Sequence, residues 1–150
     1  MKTTKINEMR NASEYCKNWF TGNDFFNTTI ETSSQKNFFI TSERYDDDAP
    51  KKYSIRYYND NTKKILTVGD FQAYKSIDNA RMYKRLLIHA FSDIRKNGGH
   101  REKNILENAD NIEFINDNHN NKDYLFKIYG IIDNEVKFFL ININTLSILG

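Results

Sequence analysis

The stretch from Ser76 to Gly98 constrains the fold more than any other. Ala80, Tyr83, Leu87, Ala90, Phe91 and Ile94 recur there at three- and four-residue spacing. Apolar side chains at that period fall on one stripe of an α-helix. Ser76 offers a capping hydroxyl at the start, and Gly98-Gly99 supply the stop. The sequence therefore predicts a helix over Ile77–Asn97. A helix with a single apolar stripe must bury that stripe against another element. The segments on either side are strand formers, so the partner is expected to be a sheet.

Upstream, Asn37–Ser42 and Lys52–Tyr58 are rich in β-branched and aromatic residues, and Lys63–Val68 follows the turn-forming run Asn59-Asp60-Asn61-Thr62. Downstream, Asn111–Asn116 alternates apolar and polar residues. Tyr124–Ile132 and Glu135–Asn142 flank Asp133-Asn134, a dipeptide that tolerates positive φ and predicts a tight hairpin. Thr145–Leu149 is apolar enough to dock. Residues 98–110 carry no clear period and are expected to form a loop. Near the start, Ile6, Met9, Cys16, Trp19 and Phe20 suggest another helix over Thr4–Phe20, stopped by Gly22. The expected fold is α+β, a single globular domain over 1–150. Two main helices pack on a mostly antiparallel sheet of about five or six strands, with no parallel βαβ order.

With 150 residues and 39% hydrophobic content, the chain can bury a core without staples. The lone Cys16 excludes an internal disulfide. The N-terminal run M-K-T-T-K-I-N-E-M-R lacks the apolar stretch of a secretion signal, and no segment reaches the length of a membrane span. A reducing, cytoplasmic setting without membrane partners is expected.

Catalytic chemistry finds little support. The glycines form neither a phosphate-binding loop nor a dinucleotide fingerprint, and G-x-S-x-G is absent. His89, His100 and His119 lack metal-ligand spacing, so no metal and no cofactor are expected. Asp123 with Glu135-x-Lys137 matches the loose D…E-x-K pattern of metal-dependent nucleases. In the expected hairpin, however, Asp123 lies at the open end and Glu135 beside the turn. Some nine residues at about 3.3 Å each place those carboxylates roughly 30 Å apart. The expectation is a protein that is not an enzyme.

Two charged surfaces remain. In R-Y-D-D-D-A-P-K-K-Y-S-I-R-Y-Y, from Arg44 to Tyr58, three aspartates sit between two strand candidates beside the only proline. Pro50 and the aspartates disfavour strand, so Tyr45 to Lys51 is expected to be a loop. The aspartates lack Ca²⁺-loop spacing. With Tyr45, Asp46, Asp47 and Asp48, it offers an acidic, aromatic patch. Tyr53, Ile55 and Tyr57 share one face of the next strand; Ser54, Arg56 and Tyr58 share the other. One set should be core, and Arg56 and Tyr58 are expected to join the exposed patch. The second surface is on the Ile77–Asn97 helix, where Arg81, Lys84, Arg85, Arg95 and Lys96 cluster opposite the apolar stripe. Ser76 to Lys103 holds seven basic and three acidic residues, a local charge of +4 against +2 for the whole chain. Such surfaces suit a protein partner or a phosphate backbone.

A small chain rich in Asn, Lys and Tyr, whose composition implies AT-rich coding, is similar in size, composition and general character to inhibitors carried by bacteriophages and mobile elements. It most resembles the anti-CRISPR inhibitors of type II RNA-guided nucleases. That resemblance implies a cytoplasmic protein–protein interaction module that binds and blocks a bacterial nuclease or other host protein. Asp46 to Asp48 would mimic phosphates, or the basic residues would clasp an acidic patch. The alternative is a nucleic-acid-binding accessory or regulatory protein using the basic helix 77–97, with steep salt dependence as its signature. The sequence leaves the oligomeric state open.

Overall fold

The computed structural model describes residues 3–5, 29–31, 37–43, 48, 50, 52–115 and 124–149. They form an α+β fold in which two helices accompany a mostly antiparallel mixed sheet. The body of the sheet is seven strands: β3 (Phe38–Glu43), β4 (Lys52–Asn59), β5 (Lys64–Val68), β6 (Ala109–Phe114), β7 (Leu125–Ile132), β8 (Glu135–Asn142) and β9 (Ile148–Leu149). Two three-residue strands, β1 (Thr3–Lys5) and β2 (Thr29–Glu31), extend it beyond β3, and spatial order follows sequence order throughout. The sheet is thus larger than five or six strands.

Helix α1 is Ile77–Asn97, with the boundaries its periodicity predicts. Ser76 Oγ accepts from Asn79 N–H at 3.3 Å, and Gly98 N–H closes the helix on Ile94 O at 2.9 Å. A Cβ on Gly98 would sit 2.5 Å from that same carbonyl, which explains the glycine. Residues 98–110 are not a loop. Helix α2 (His100–Glu107) starts directly after Gly98-Gly99 and buries Ile105 and Leu106.

The two helices carry the chain from β5 to β6, which pair in parallel through Val68 and Ile112, with Gly69 N–H on Ile112 O at 2.8 Å. This one parallel pair corrects the expectation of no βαβ-like order. Every other adjacent pair is antiparallel. The Thr4–Phe20 helix expectation falls almost wholly outside the described residues, although Thr4 and Lys5 lie in β1.

One face of the sheet packs against the helices. Ala80, Tyr83, Leu87, Ala90, Phe91 and Ile94, the predicted stripe, are all buried there. They meet Phe38, Ile40, Ile55, Tyr57 and Val68 from the first half of the sheet, and Ile112, Phe126, Ile128, Phe139 and Ile141 from the second. Phe38, Tyr57 and Phe91 form an aromatic knot with centroids 4.7 to 5.2 Å apart. α2 lies so close to β7 that a Cβ on Gly130 would sit 2.7 Å from Ile105 O.

The β4–β5 turn ties to the end of α2 and the start of β6. Asn59 Oδ1 accepts from Asn61 N–H at 3.0 Å, while Asn59 Nδ2 donates to Glu107 O at 3.3 Å and to Ala109 O at 2.9 Å. Asp133 and Asn134, at φ 52° and 65°, make the tight β7–β8 hairpin the sequence predicts. No helix among the described residues is long and apolar enough to cross a membrane.

Candidate functional site

Three regions bear on function: the acidic loop, the outer side of α1, and the outer faces of the sheet. Of the acidic loop, Tyr45, Asp46 and Asp47 lie outside the described residues; Asp48 and Pro50 are exposed. The β4 residues assigned to that patch behave otherwise. Arg56 is 1% exposed, the largest fully buried side chain among the described residues, and Tyr58 is half-buried. The expectation that Arg56 and Tyr58 join an exposed patch is therefore corrected. Strand pairing sets Arg56 between Phe39 on β3 and Thr67 on β5. Its Nε donates to Thr41 Oγ1 at 3.1 Å, a second nitrogen donates to Thr67 Oγ1, and its guanidinium stands 5.2 Å from the Phe71 ring centroid. A buried guanidinium is tolerated only where its donors find acceptors, and here hydroxyls on both neighbouring strands are in place.

The basic stripe of α1 is also thinner than its helical wheel implies. Lys84 is 4% exposed and does not belong to the outer surface. Its position, one residue from Tyr83, places it at the edge of the apolar stripe, where a long aliphatic stem can be covered. Arg81 pairs with Asp78 at 3.4 Å. Arg95 donates to Tyr57 Oη at 2.8 Å. Arg85 and Lys96 are exposed.

Arg95 also lines a cleft of about 170 Å³ with Asn37, Tyr57, Asn59, Asp60 and Glu107. Burial raises the Tyr57 hydroxyl pKa; Arg95 opposes this, and Asp60 adds to it. The polar groups here are committed to one another. Asn37 Nδ2 donates to Asp60 at 2.6 Å, and Asn61 Nδ2 donates to Glu107 O at 3.1 Å. The cleft reads as a structural joint between β4, α1 and α2.

The surface that local sequence patterns miss is the outer face of the β7–β8 hairpin. Register places Ile131 opposite Val136, Tyr129 opposite Phe138 and Lys127 opposite Leu140, all directed away from the helices. Val136 is 65% exposed, Ile131 45% and Phe138 40%. Leu149 on β9 lies opposite Leu140, extends the same face and is exposed too. Lys127 Nζ stands 4.0 Å from the Phe138 ring centroid and 4.9 Å from that of Tyr129, and Tyr129 donates to Glu113 at 2.7 Å. This is a contiguous apolar and aromatic patch with one cation set into it. Surfaces of that kind mark docking sites more often than isolated exposed side chains do. A signal existed: β7 and β8 carry large apolar residues on both faces, while among the described residues the helices pack on one face alone.

Of the nuclease pattern, Glu135 and Lys137 are exposed beside the turn and pair at 3.7 Å, and Asp123 lies outside the described residues. Among the described residues, no three His, Cys, Asp or Glu side chains are grouped to hold a metal ion.

No curated protein and no solved structure matches the chain. A family model does match over residues 5–85, which takes in β3 to β5 and the first part of α1 but stops short of the β7–β8 hairpin. That match spans more than half of the 150 residues, and the chain belongs to the family of unknown function DUF7447.

Proposed function

We propose that this protein is a non-enzymatic binding module that works by docking onto another protein, with the outer face of the β7–β8 hairpin as its contact surface. The exposure of Ile131, Val136 and Phe138 side by side carries this reading. Leaving three large apolar side chains in water forgoes burial free energy, and a partner that covers them recovers it. Lys127 at the centre favours a partner that brings a carboxylate into an apolar surround. The finer reading follows from the chain's size and composition, which resemble those of the phage-borne inhibitors. On that reading the partner is a bacterial RNA-guided nuclease, and binding blocks it.

Nucleic acid is the second reading, favoured by Arg85 and Lys96 on the outer side of α1. It is the weaker one. Lys84 is buried, and Arg81 and Arg95 are already engaged. On the hairpin, Lys127 occupies the ring face that a base would need for stacking.

The deciding experiment is co-elution of the protein with a purified type II RNA-guided nuclease, alongside an assay of DNA cleavage. Wild type should co-elute and suppress cleavage. Ile131→Asp and Phe138→Asp should lose both effects while retaining the wild-type melt. Reversal of Asp46 to Asp48 to lysine tests whether the acidic loop contributes. Equal retention of wild type and both hairpin variants would overturn the assignment of the surface. Salt-sensitive binding of plain DNA by wild type, without nuclease binding, would favour the second reading.

A further inference from the structure

The same hairpin carries a second, separate feature: an open strand edge. Among the described residues, β9 covers β8 only at Leu140 and Ile141. Two hydrogen bonds show which backbone groups face that edge. Phe138 O accepts from Arg101 Nη2 at 2.7 Å, and Asn142 N–H donates to Ser147 O at 2.9 Å. Even-numbered residues of β8 therefore direct their N–H and C=O away from β7. Val136, the most exposed large apolar residue among those described, thus directs a backbone donor and acceptor to that edge beside an apolar side chain. An edge of this kind is a template for another strand.

We propose that a second copy of this chain is the occupant, joined by antiparallel pairing of β8 with β8 about a two-fold axis through Val136. The register is decided by charge. Centring the pair on Val136 sets Glu135 of each copy opposite Lys137 of the other, two complementary pairs on one side of the sheet. Centring it on Lys137 would set two lysines face to face. Within one chain, Glu135 and Lys137 already meet at 3.7 Å while both stay exposed, so exchanging partners breaks nothing buried. A lysine on an edge repels an incoming strand only when that strand brings no opposite charge, and this one brings Glu135. The contact is isologous, with the two Val136 residues exchanging N–H···O=C bonds at its centre. A two-fold axis normal to the sheet keeps both outer faces on the same side, so the Ile131, Val136 and Phe138 patches of the two copies merge into one. The pairing goes beyond the proposed partner binding and uses backbone that the face itself does not need.

Sedimentation velocity over a dilution series at low salt tests this. Wild type should show a monomer–dimer equilibrium. Val136→Pro, which deletes the edge-facing N–H, should sediment as monomer throughout. Glu135→Lys and Lys137→Glu should each dimerise roughly tenfold more weakly, because each turns two attractive pairs into two repulsive ones. Mixing those two variants should restore a dimer, since every cross-strand pair is then opposite in sign. A monomeric wild type, or a mixture no more associated than its parts, would sink the proposal. If Val136→Pro does not fold, the charge variants decide, because both positions are exposed. Binding of the nuclease by a monomeric Lys137→Glu variant, whose substitution lies on the sheet face opposite Ile131, Val136 and Phe138, would separate this pairing from the docking face.

Discussion

Strands β4 and β8 invert each other. β4 carries an arginine on the face turned away from the helices, and that residue is 1% exposed; β8 carries a valine on the corresponding face, and it is 65% exposed. On β3 to β5 the outer side is closed over Phe39, Thr41, Ser54 and Arg56, which are all buried. On β7 and β8 the outer side is left to solvent with Ile131, Val136 and Phe138 on it. Side-chain polarity therefore does not tell which face of this sheet is covered. The closed half is built for stability, with its buried arginine given hydroxyl partners on both neighbouring strands. The open half leaves apolar surface in water, which is the condition for docking.

The sharpest way to break that contrast uses two adjacent phenylalanines of β8. Phe139 points into the core and is fully buried, while Phe138 points outward and is 40% exposed. Phe139→Ala should cost about 4 kcal/mol in a denaturant titration, through lost burial and the cavity left behind. Phe138→Ala should cost less than about 1 kcal/mol, as an exposed position does, yet abolish retention of the partner. Similar costs for both would mean that the outer face is covered in solution.

Arg56 tests the closed half. Arg56→Ala should destabilise by about 3 kcal/mol, since it removes a buried side chain and its hydrogen bonds to Thr41 and Thr67. Arg56→Lys should recover about half of that, because an ammonium cannot reproduce the fork that reaches hydroxyls on two strands. Denaturant midpoints of the two variants check both values. A loss below about 0.5 kcal/mol for Arg56→Ala would place this face among ordinary surfaces.

The same two strands mark how far the sequence could be read. Local patterns were sufficient where a single element determines its own shape: the 3.6-residue period and Ser76 cap bounded α1, and Asp133-Asn134 fixed the hairpin. They failed where the burial of a strand's second face decides. Ser54 and Arg56 are polar at alternate positions, which is the pattern of a half-exposed strand. A strand buried on both sides with partnered polar groups has the same pattern. Conversely, the apolar Val136 and Phe138 read as core, yet they are exposed. α2 escaped notice because eight residues with two adjacent buried apolar side chains show almost no period. Of the proposed surfaces, Arg85 and Lys96 stand where the helical wheel puts them, whereas Lys84 and Arg56 are inside.

The smallest expected effect is a titration that belongs to the closed half. Tyr74, bridged to Tyr53 of β4, is 7% exposed, and burial raises its hydroxyl pKa, with Tyr83 and Asp70 adding to the shift. Burial raises that of Tyr57 as well. In the unfolded chain these phenols lose their protons near pH 10.0, while in the folded protein they hold them to higher pH. Above that point the unfolded state binds fewer protons than the folded one, so unfolding free energy falls as pH rises. The stabilisation is complete below pH 10.0 and is lost as pH climbs through the folded values. Each group contributes a limiting slope of about 1.4 kcal/mol per pH unit. Denaturant titrations from about pH 9 to about pH 11 should show that decline in wild type, and Tyr74→Phe should flatten it by one group's share. An unchanged slope in Tyr74→Phe would mean that its hydroxyl is open to water, and that the closure of β4 does not extend to the segment leading into α1.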